Sequence, residues 1–356
     1  MPASSKTVFE CIECGGEYLR WQGQCDQCQA WNTLEILHAV KATKKAGVID
    51  TVVSALADVT EPETERLDSG FAEVDRVLGG GWVHGSVNLI CGEPGVGKST
   101  LVLQSLLECT KLQKKTLYIT AEESTIQVKH RAKRLTGEIS SNVFISATTE
   151  MDTIIEIIQK ERPDLVVLDS IQMVISHKLT SMPGSLNQVR LCASMFIKIV
   201  KNIGAIGILV GHITKDGQLA GPKMLEHMVD VILFFEGERS GSVRMLRTLK
   251  NRFGTTNETG LFKMKSEGLT ELTNSQYLIS DMEKPPLPGS VITSVLSGTR
   301  GMLVELQALA VQGGYQHVKR TFVGVDSHRA HLMIAIIDKY FNLKLSTKDV
   351  FISLVG

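Results

Sequence analysis

The stretch Gly92-Glu93-Pro94-Gly95-Val96-Gly97-Lys98-Ser99-Thr100 fits the pattern G-x-x-x-x-G-K-[ST], which is typical of a phosphate-binding loop. An apolar run, Val87–Cys91, precedes it and predicts a buried strand, and the run Thr100–Thr110 after it predicts a helix. In such a loop, backbone N–H groups converge on phosphate oxygens and the helix N-terminus adds positive potential. We therefore expect these nine residues to bind ATP, with Lys98 on the terminal phosphates and Ser99 ligating Mg²⁺.

The composition limits the class of protein. The chain has 356 residues, which is too many for one typical domain, so we expect two or three. Hydrophobic residues make up 43% of the chain, which is enough to form hydrophobic cores. The formal net charge is zero, so no overall electrostatic field attracts nucleic acid to the protein. The sequence contains neither a basic-then-apolar leader nor an uncharged apolar run of about 18 residues. We therefore predict a cytoplasmic protein without a membrane partner.

Four of the seven cysteines form two C-x-x-C pairs near the N-terminus, Cys11 with Cys14 and Cys25 with Cys28. Two such pairs supply four thiolates for a tetrahedral Zn²⁺ site. The segment has little apolar mass, so metal binding would supply most of its folding free energy. We predict a structural zinc finger over residues 1–37; a redox pair, free thiols or an iron–sulfur cluster are the alternatives. The other three cysteines lie in apolar runs and are predicted to be core residues: Cys91, Cys109 and Cys192.

Changes in composition predict the remaining domains. Residues 38–65 combine a lysine-rich stretch with an acidic patch and are predicted to be a linker, and residues 66–85 carry turn signals. Over residues 66–284 strands and helices alternate, which predicts a mostly parallel α/β sheet with ligands at the carboxyl ends of its strands. A proline-rich stretch then opens a last domain, residues 285–356, which we expect to be incomplete at its C-terminus. The predicted strands are Val87–Cys91, Thr116–Thr120, Leu165–Asp169, Ile206–Gly211, Val229–Phe235, Val243–Leu249, Val291–Leu296, Leu303–Val311 and Val350–Val355. The predicted helices are Thr100–Thr110, Ser124–Leu135, Met151–Lys160, Ser185–Asn202, Pro222–Met228 and Ser327–Phe341.

Two predicted strands end in acids that suit nucleotide hydrolysis. Leu165–Asp169 ends in the carboxylate that a phosphate-loop NTPase uses to hold the Mg²⁺ shell, so Asp169 joins Ser99 as a predicted magnesium ligand. Thr116–Thr120 leads into Glu122, which could orient and deprotonate the attacking water. Its neighbour Glu123 is alternatively a helix-start charge.

Polar residues at other strand ends have two interpretations each. His212 could sense the γ-phosphate or could be an ordinary histidine at the rim of the site. The glycine-rich loop 213–224 could order on single-stranded nucleic acid or could simply be solvated. Lys250 and Arg252 follow the strand Val243–Leu249 and could be solvent-facing. The sharper hypothesis is that they reach the γ-phosphate of a neighbouring subunit, which requires a ring or filament.

Six ordered motifs resemble the bacterial RadA (Sms) family of DNA-repair proteins, from residue 7 to the end. They are the four-cysteine segment with Trp21-Gln-Gly-Gln-Cys25, Leu78-Gly-Gly-Gly-Trp-Val-His-Gly85 before the phosphate loop, Ala121-Glu-Glu-Ser124, Gly211-His-Ile-Thr-Lys215, Lys250-Asn-Arg-Phe-Gly254 and Pro288-Gly-Ser290. The last of these opens a domain similar to the Lon protease domain. The resemblance implies a RecA-like P-loop NTPase core with an N-terminal zinc ribbon and a truncated, Lon-like α+β domain.

The resemblance also implies an activity. Family members are DNA-dependent ATPases of recombinational repair, which form homohexameric rings, translocate on single-stranded and branched DNA, and act with a recombinase and other repair proteins. Glu122 matches the catalytic glutamate, His212 the sensor, the loop 213–224 the DNA-binding loop, and Lys250 and Arg252 the motif required for DNA-linked activity. The alternative is an ATP-switched, DNA-bound assembly scaffold without motor activity. The chain departs from the family pattern in two ways. Its last domain is shortened, which leaves proteolysis without support and could impair ring assembly. Ala121 stands where many relatives have glycine.

Overall fold

The computed structural model describes residues 8–11, 13–37, 66–212, 225–237, 243–272, 288–313 and 318–355. The predicted linker 38–65, the loop 213–224, the start of the predicted helix Pro222–Met228 and the boundary at 284–285 lie outside these residues. The chain forms two compact units, Met1–Thr256 with Gly260–Glu271, and Asn257–Thr259 with Leu272–Gly356. Among the described residues, no helix has the length and apolar character needed to cross a membrane.

The N-terminal segment is a small antiparallel sheet around the four cysteines. Its strands are β1 (Val8–Cys11), β2 (Glu17–Tyr18) and β3 (Leu34–Leu37), in the order β2-β1-β3. Cys11 and Cys25 are fully buried and pack with Leu34 in a core of their own. This core is too small to stabilise the segment without a further cross-link.

The core that follows is built on one large sheet with helices against it. The strands in chain order are β4 (Arg66–Leu67), β5 (Trp82–Val83), β6 (Val87–Gly92), β7 (Thr116–Thr120), β8 (Val143–Ala147), β9 (Leu165–Asp169), β10 (Ile206–His212), β11 (Val231–Glu236), β12 (Val243–Asn251), β13 (Thr259–Lys265) and β14 (Gly268–Glu271). The helices are α1 (Ala72–Leu78), α2 (Lys98–Lys111), α3 (Thr125–Thr136), α4 (Met151–Glu161) and α5 (Leu186–Ile203), with a 3₁₀ turn at Ile171–Met173. Nine of the described strands form the sheet, in the order β14-β13-β12-β11-β6-β10-β9-β7-β8, while β4 pairs with β5.

The central strands are apolar on both faces because helices cover both. β7 and β9 are buried at every residue. Along β6, Leu89 packs in the core that contains Phe196 of α5, and the next residue, Ile90, packs in the core that contains Leu106 of α2. Successive side chains of a strand point to opposite faces, so a doubly covered strand reads as a continuous apolar run. That pattern is what allowed Thr116–Thr120 and Leu165–Asp169 to be predicted with their observed bounds.

Strand direction determines which ends of the strands meet. β11, β6, β10, β9, β7 and β8 run parallel, so their carboxyl ends lie at one edge of the sheet. There, His212 pairs with Gly92 and Thr120 pairs with Asp169. β12 runs antiparallel to β11, and its last residue, Asn251, pairs with Val231 at the start of β11. The end of β12 therefore lies at the opposite edge.

The second unit contains a four-stranded sheet and one described α-helix. Its strands are β15 (Ser290–Ser297), β16 (Arg300–Gln312), β17 (Arg320–Val323) and β18 (Lys348–Val355), in the order β15-β16-β18-β17. Helix α6 (Ser327–Phe341) has the predicted bounds, and Ile334 on it packs with Val350 and with Leu345 of a 3₁₀ turn, Leu345–Thr347.

Some elements differ from the sequence prediction. Residues 66–85, predicted from turn signals alone, also contain α1 and the β4–β5 pair. The strands β1, β2, β3, β8, β13, β14 and β17 were not predicted. Most are short or carry polar residues on one face, so local apolar runs do not reveal them. Cys91, Cys109 and Cys192 are buried, which confirms them as core residues.

Candidate functional site

The predicted phosphate-binding loop joins β6 to α2. A Cβ at Gly92 would lie 2.0 Å from the carbonyl oxygen of Phe235, and Gly97 has φ 113°, a conformation that favours glycine. Gly97 caps α2 without a side chain, so the first N–H groups of α2 face the loop. Ser99 and Thr100 follow in the first turn and are partly exposed. The loop thus presents backbone donors and a helix N-terminus at one point, which is the geometry for binding phosphate.

Lys98 is 3% exposed and lies at the centre of the site. Its Nζ donates to the carbonyls of Gly92 and Glu93, at 2.9 Å each, and lies 3.2 Å from Nδ1 of His212. Burial lowers the pKa of Lys98, while the nearby Asp169 raises it. A polyanion beside the ammonium would favour its charged form further, so phosphate binding and protonation of Lys98 support each other.

The two predicted acids lie at the ends of neighbouring strands, each held by a hydroxyl. Asp169 is 8% exposed, and Oδ2 of its carboxylate accepts a short hydrogen bond from the hydroxyl of Tyr118 on β7. Burial raises the pKa of Tyr118 well above its usual value, so the phenol keeps its proton and remains a donor. Glu122 accepts a short hydrogen bond from the hydroxyl of Ser170.

His212 lies between the lysine of the phosphate loop and the glutamate after β7. Its Nε2 lies 3.1 Å from Oε1 of Glu122, while its Nδ1 faces Lys98. A neutral ring that donates from Nε2 and accepts at Nδ1 satisfies both contacts. The structure therefore brings together Lys98, Glu122, Asp169 and His212. Glu123 differs from Glu122, because it forms a short ion pair with Arg131 of α3.

Lys250 and Arg252 lie away from this cluster, at the opposite edge of the sheet. Arg252 NH1 donates to Oδ1 of Asp230 at 3.3 Å, and Asp230 Oδ2 accepts from the N–H of Val87, the first residue of β6. Lys250 Nζ donates to the carbonyl of Val229 at 2.8 Å and to that of Glu226. The length of β6 separates them from Gly92, roughly 16 Å for five residue steps.

The four N-terminal cysteines converge as predicted. Their sulfur atoms all lie within 4.8 Å of one another; Cys11 and Cys28 are 3.6 Å apart, and Cys14 and Cys25 are 3.4 Å apart. Four sulfurs at about 2.3 Å from a tetrahedral Zn²⁺ would be about 3.8 Å apart, so the cage fits that ion. The two C-x-x-C turns are alike: Gly15 N–H donates to the carbonyl of Cys11, and Gln29 N–H to that of Cys25, both at 2.8 Å.

The sulfur cage also contains a hydroxyl partner. The Tyr18 hydroxyl lies 3.2 Å from the sulfur of Cys25, and its hydrogen bond lowers the pKa of that thiol to about 6. A thiolate is the form that binds metal, so this contact favours metal binding.

Several residues of these sites were not predicted. Tyr118 lies inside a predicted strand and Ser170 just after another, and neither was expected to support the site; Asp230 and Lys201 were not singled out. Ser170 directly follows Asp169, which is a local signal. Tyr118 and Asp230 act through tertiary contacts, and sequence spacing does not show them.

Comparisons with known proteins agree with this geometry. A family model described as a rubredoxin metal binding domain matches residues 9–35, and one described as an AAA domain matches residues 48–218. The chain is 42% identical to the DNA repair protein RadA of Halalkalibacterium halodurans, across 99% of this chain and 79% of that protein. The chain belongs to the RadA family of DNA repair proteins. RadA of Bacillus subtilis is 41% identical and RadA of Escherichia coli 40% identical, over 99% and 100% of this chain and 79% of each relative.

A comparison with solved structures bears on the fold. A solved structure described as an ATPase domain is similar with a TM-score of 0.52 and 16% identity, covering 59% of this chain and 92% of that one. This confirms the predicted RecA-like α/β core. Together with the four converging sulfurs, the metal-binding match confirms a zinc-binding ribbon at the N-terminus of this RadA-family chain.

Proposed function

We propose that this chain is a DNA-dependent ATPase of recombinational repair, which translocates on single-stranded DNA and drives branch migration or unwinding of recombination intermediates. It works as a homohexameric ring in the cytoplasm, together with a recombinase and other repair proteins. One observation carries the ring: Arg252 lies at the opposite end of β6 from the phosphate loop. A cation there is too far away to serve the nucleotide of its own subunit, but a head-to-tail interface would bring it to a neighbour's.

Each residue of the phosphate-loop cluster has a place in ATP hydrolysis. The loop from Gly92 to Thr100 holds the phosphates through backbone N–H groups and Lys98. Ser99 and Asp169 would hold Mg²⁺, which neutralises phosphate charge. Glu122 orients the attacking water and accepts its proton. His212, in contact with both Lys98 and Glu122, is placed to sense whether the γ-phosphate is present.

The same histidine provides a route from hydrolysis to DNA. His212 is the last residue of β10, and the loop 213–224, which we propose binds single-stranded DNA, follows it directly. A change in the contacts of His212 would therefore be passed to the start of that loop. Backbone contacts and base stacking inside a ring make such binding tolerant of sequence and sensitive to salt.

The test is ATP hydrolysis with and without single-stranded DNA, with the mass of the complex measured on the same samples. Strong stimulation in a particle of hexameric mass supports the motor. ATP-dependent assembly on DNA with hydrolysis that DNA does not accelerate would contradict it and favour the assembly scaffold.

A further inference from the structure

Asp230 is a buried carboxylate that the proposed reaction does not yet use. Its side chain is 4% exposed and lies at the start of β11, at the edge of the sheet opposite the phosphate loop. It accepts from the backbone N–H of Val87 at 3.0 Å, from Nζ of Lys201 at 3.1 Å and from NH1 of Arg252 at 3.3 Å. A buried carboxylate is costly unless it is paired and hydrogen-bonded, and these three donors satisfy that requirement.

The contact with Arg252 holds the guanidinium but leaves it accessible. It joins one nitrogen, NH1, to Asp230, and the Arg252 side chain remains 53% exposed. Lys201, which also pairs with Asp230, is 42% exposed. Two cations thus share one buried anion, and the cluster of Lys201, Asp230 and Arg252 keeps a net positive charge. An arrangement of this kind can accept a further anion without first releasing Asp230.

The backbone around Asp230 is fixed as well. Arg252 N–H donates to the carbonyl of Asp230 at 3.2 Å, and Asp230 N–H donates to that of Val87 at 2.9 Å. Lys250 lies beside this cluster and donates to the carbonyls of Val229 and Glu226. Asp230 therefore contacts Arg252 through both its backbone and its carboxylate, and ties it to the strand that carries the phosphate loop.

We propose that Asp230 is the positioning residue for Arg252: its carboxylate holds the guanidinium at the orientation in which it meets the γ-phosphate of the neighbouring subunit. This rests on the proposed function, in which Arg252 acts between subunits. A long arginine side chain has many rotamers, and fixing it before the neighbour arrives removes that cost from the transition state. In this arrangement Lys250 is a positioning residue as well, because its ammonium is bound to carbonyls of its own chain.

The test is a double-mutant cycle on DNA-stimulated ATP hydrolysis by the full chain. Asp230→Asn keeps the shape but loses the charge that holds Arg252. We expect kcat to fall about tenfold or more while KM for ATP changes less than about twofold, because nucleotide binds at the other end of β6. In an Arg252→Ala background, Asp230→Asn should cause no further loss of kcat, because a positioning residue acts only through its partner.

Lys201→Gln is the matched control. Lys201 binds the same carboxylate, but as a cation it cannot hold the guanidinium of Arg252, so its removal should change kcat less than about threefold. An equal loss of kcat in Lys201→Gln and Asp230→Asn would mean that the ion pairs merely stabilise the fold, and it would overturn the proposal. An additive loss in the double variant would overturn it too.

The failures of the two proposals are distinguishable. If Arg252→Ala itself leaves kcat unchanged, action between subunits is wrong and the role of Asp230 is lost with it. If Arg252→Ala lowers kcat but Asp230→Asn does not, only the positioning role is wrong. Should Asp230→Asn fail to fold, Asp230→Glu takes its place in the cycle, since it keeps the charge but displaces the carboxylate by one methylene. It should lower kcat only where Arg252 is present, and a loss in its absence would contradict the proposal.

Discussion

Glu122 and Glu123 are adjacent in the chain but meet different partners. Glu122 contacts Ser170 and His212 beside the phosphate loop, whereas Glu123, just before α3, pairs with Arg131 of that helix. Glu123 is also held by the turn after β7, because its N–H donates to the hydroxyl of Thr120 at 2.9 Å. We therefore assign the proposed role at the attacking water to Glu122 and not to Glu123.

Exchanging each glutamate for glutamine tests this assignment. Glu122→Gln should lower kcat by about 10²–10⁴-fold with ATP binding retained, because the amide cannot accept the proton of the attacking water. Glu123→Gln should keep most of the activity and lose only its ion pair with Arg131. Single-turnover hydrolysis and nucleotide affinity, measured on both variants, check this. A larger loss in Glu123→Gln would reverse the assignment.

Removing the ammonium of Lys98 tests the phosphate site itself. Lys98→Ala should lower hydrolysis by about a thousandfold, because Lys98 supplies the cation for the terminal phosphates. The measurement is ATP turnover, with the midpoint of thermal unfolding as a control for folding. Retained turnover in a folded variant would show that the phosphates bind elsewhere.

Sequence patterns predicted this cluster better than they predicted its supports. Lys98, Asp169 and Glu122 follow strands or lie in a loop of fixed spacing, so their convergence follows from a parallel sheet. Tyr118 lies within a buried strand, where a tyrosine reads as core. Its hydroxyl meets Asp169 only because β7 and β9 are neighbours in the folded sheet.

The strand β6 shows how tightly the elements of the core pack. β11 lies beside β6, and the carbonyl of Phe235 would be 2.0 Å from a Cβ at Gly92. The glycine at this position therefore serves the packing of neighbouring strands, in addition to its proposed role in phosphate binding. Backbone atoms on β11 cannot yield as a flexible side chain would.

Gly92→Ala should destabilise the core by about 2 kcal/mol or more, because the added methyl group collides with backbone. Gly211→Ala is the control on the next strand, where a Cβ would make an ordinary contact of 3.4 Å with Leu89. It should cost less than about 1 kcal/mol. Urea unfolding followed through the buried Trp82 measures both, and equal costs would contradict the packing argument.

Element prediction succeeded where burial is continuous and failed where it is not. β9 and α6 have the bounds that their patterns predict. β8 is the last strand of its sheet and is buried at none of its residues, so no apolar run marks it. α1 is seven residues long and ends at Gly79 in a left-handed conformation, and the glycines after it suggested a turn region instead.

The N-terminal ribbon and the ATPase core have different sources of stability. The core buries many large side chains, whereas the described ribbon buries three apolar residues, two of which are cysteines that face the metal site. A segment of this size folds when a metal replaces the missing core.

The protein should contain about one zinc ion per chain, and Cys28→Ser should lower that content and unfold the ribbon. Cys192→Ser is the matched control, because Cys192 is buried in the ATPase core and should leave the zinc content unchanged. Metal analysis of the purified variants checks both. Unchanged zinc in Cys28→Ser, or iron in place of zinc, would contradict the assignment.

In the proposed ring, one subunit completes the site of another. Lys98 and Arg252 lie near opposite ends of β6, so in the proposed ring each subunit would carry half of two different sites. Two strongly impaired variants should then restore each other, which no variant tested alone can show.

The most direct test is to mix Lys98→Ala and Arg252→Ala subunits and measure ATP hydrolysis with single-stranded DNA. Each variant alone should keep only a small residual activity. In randomly mixed rings about a quarter of the sites pair an intact phosphate loop with an intact Arg252, so about a quarter of the wild-type activity should return. If mixed rings form and hydrolysis does not return, Arg252 serves its own subunit and the account is wrong.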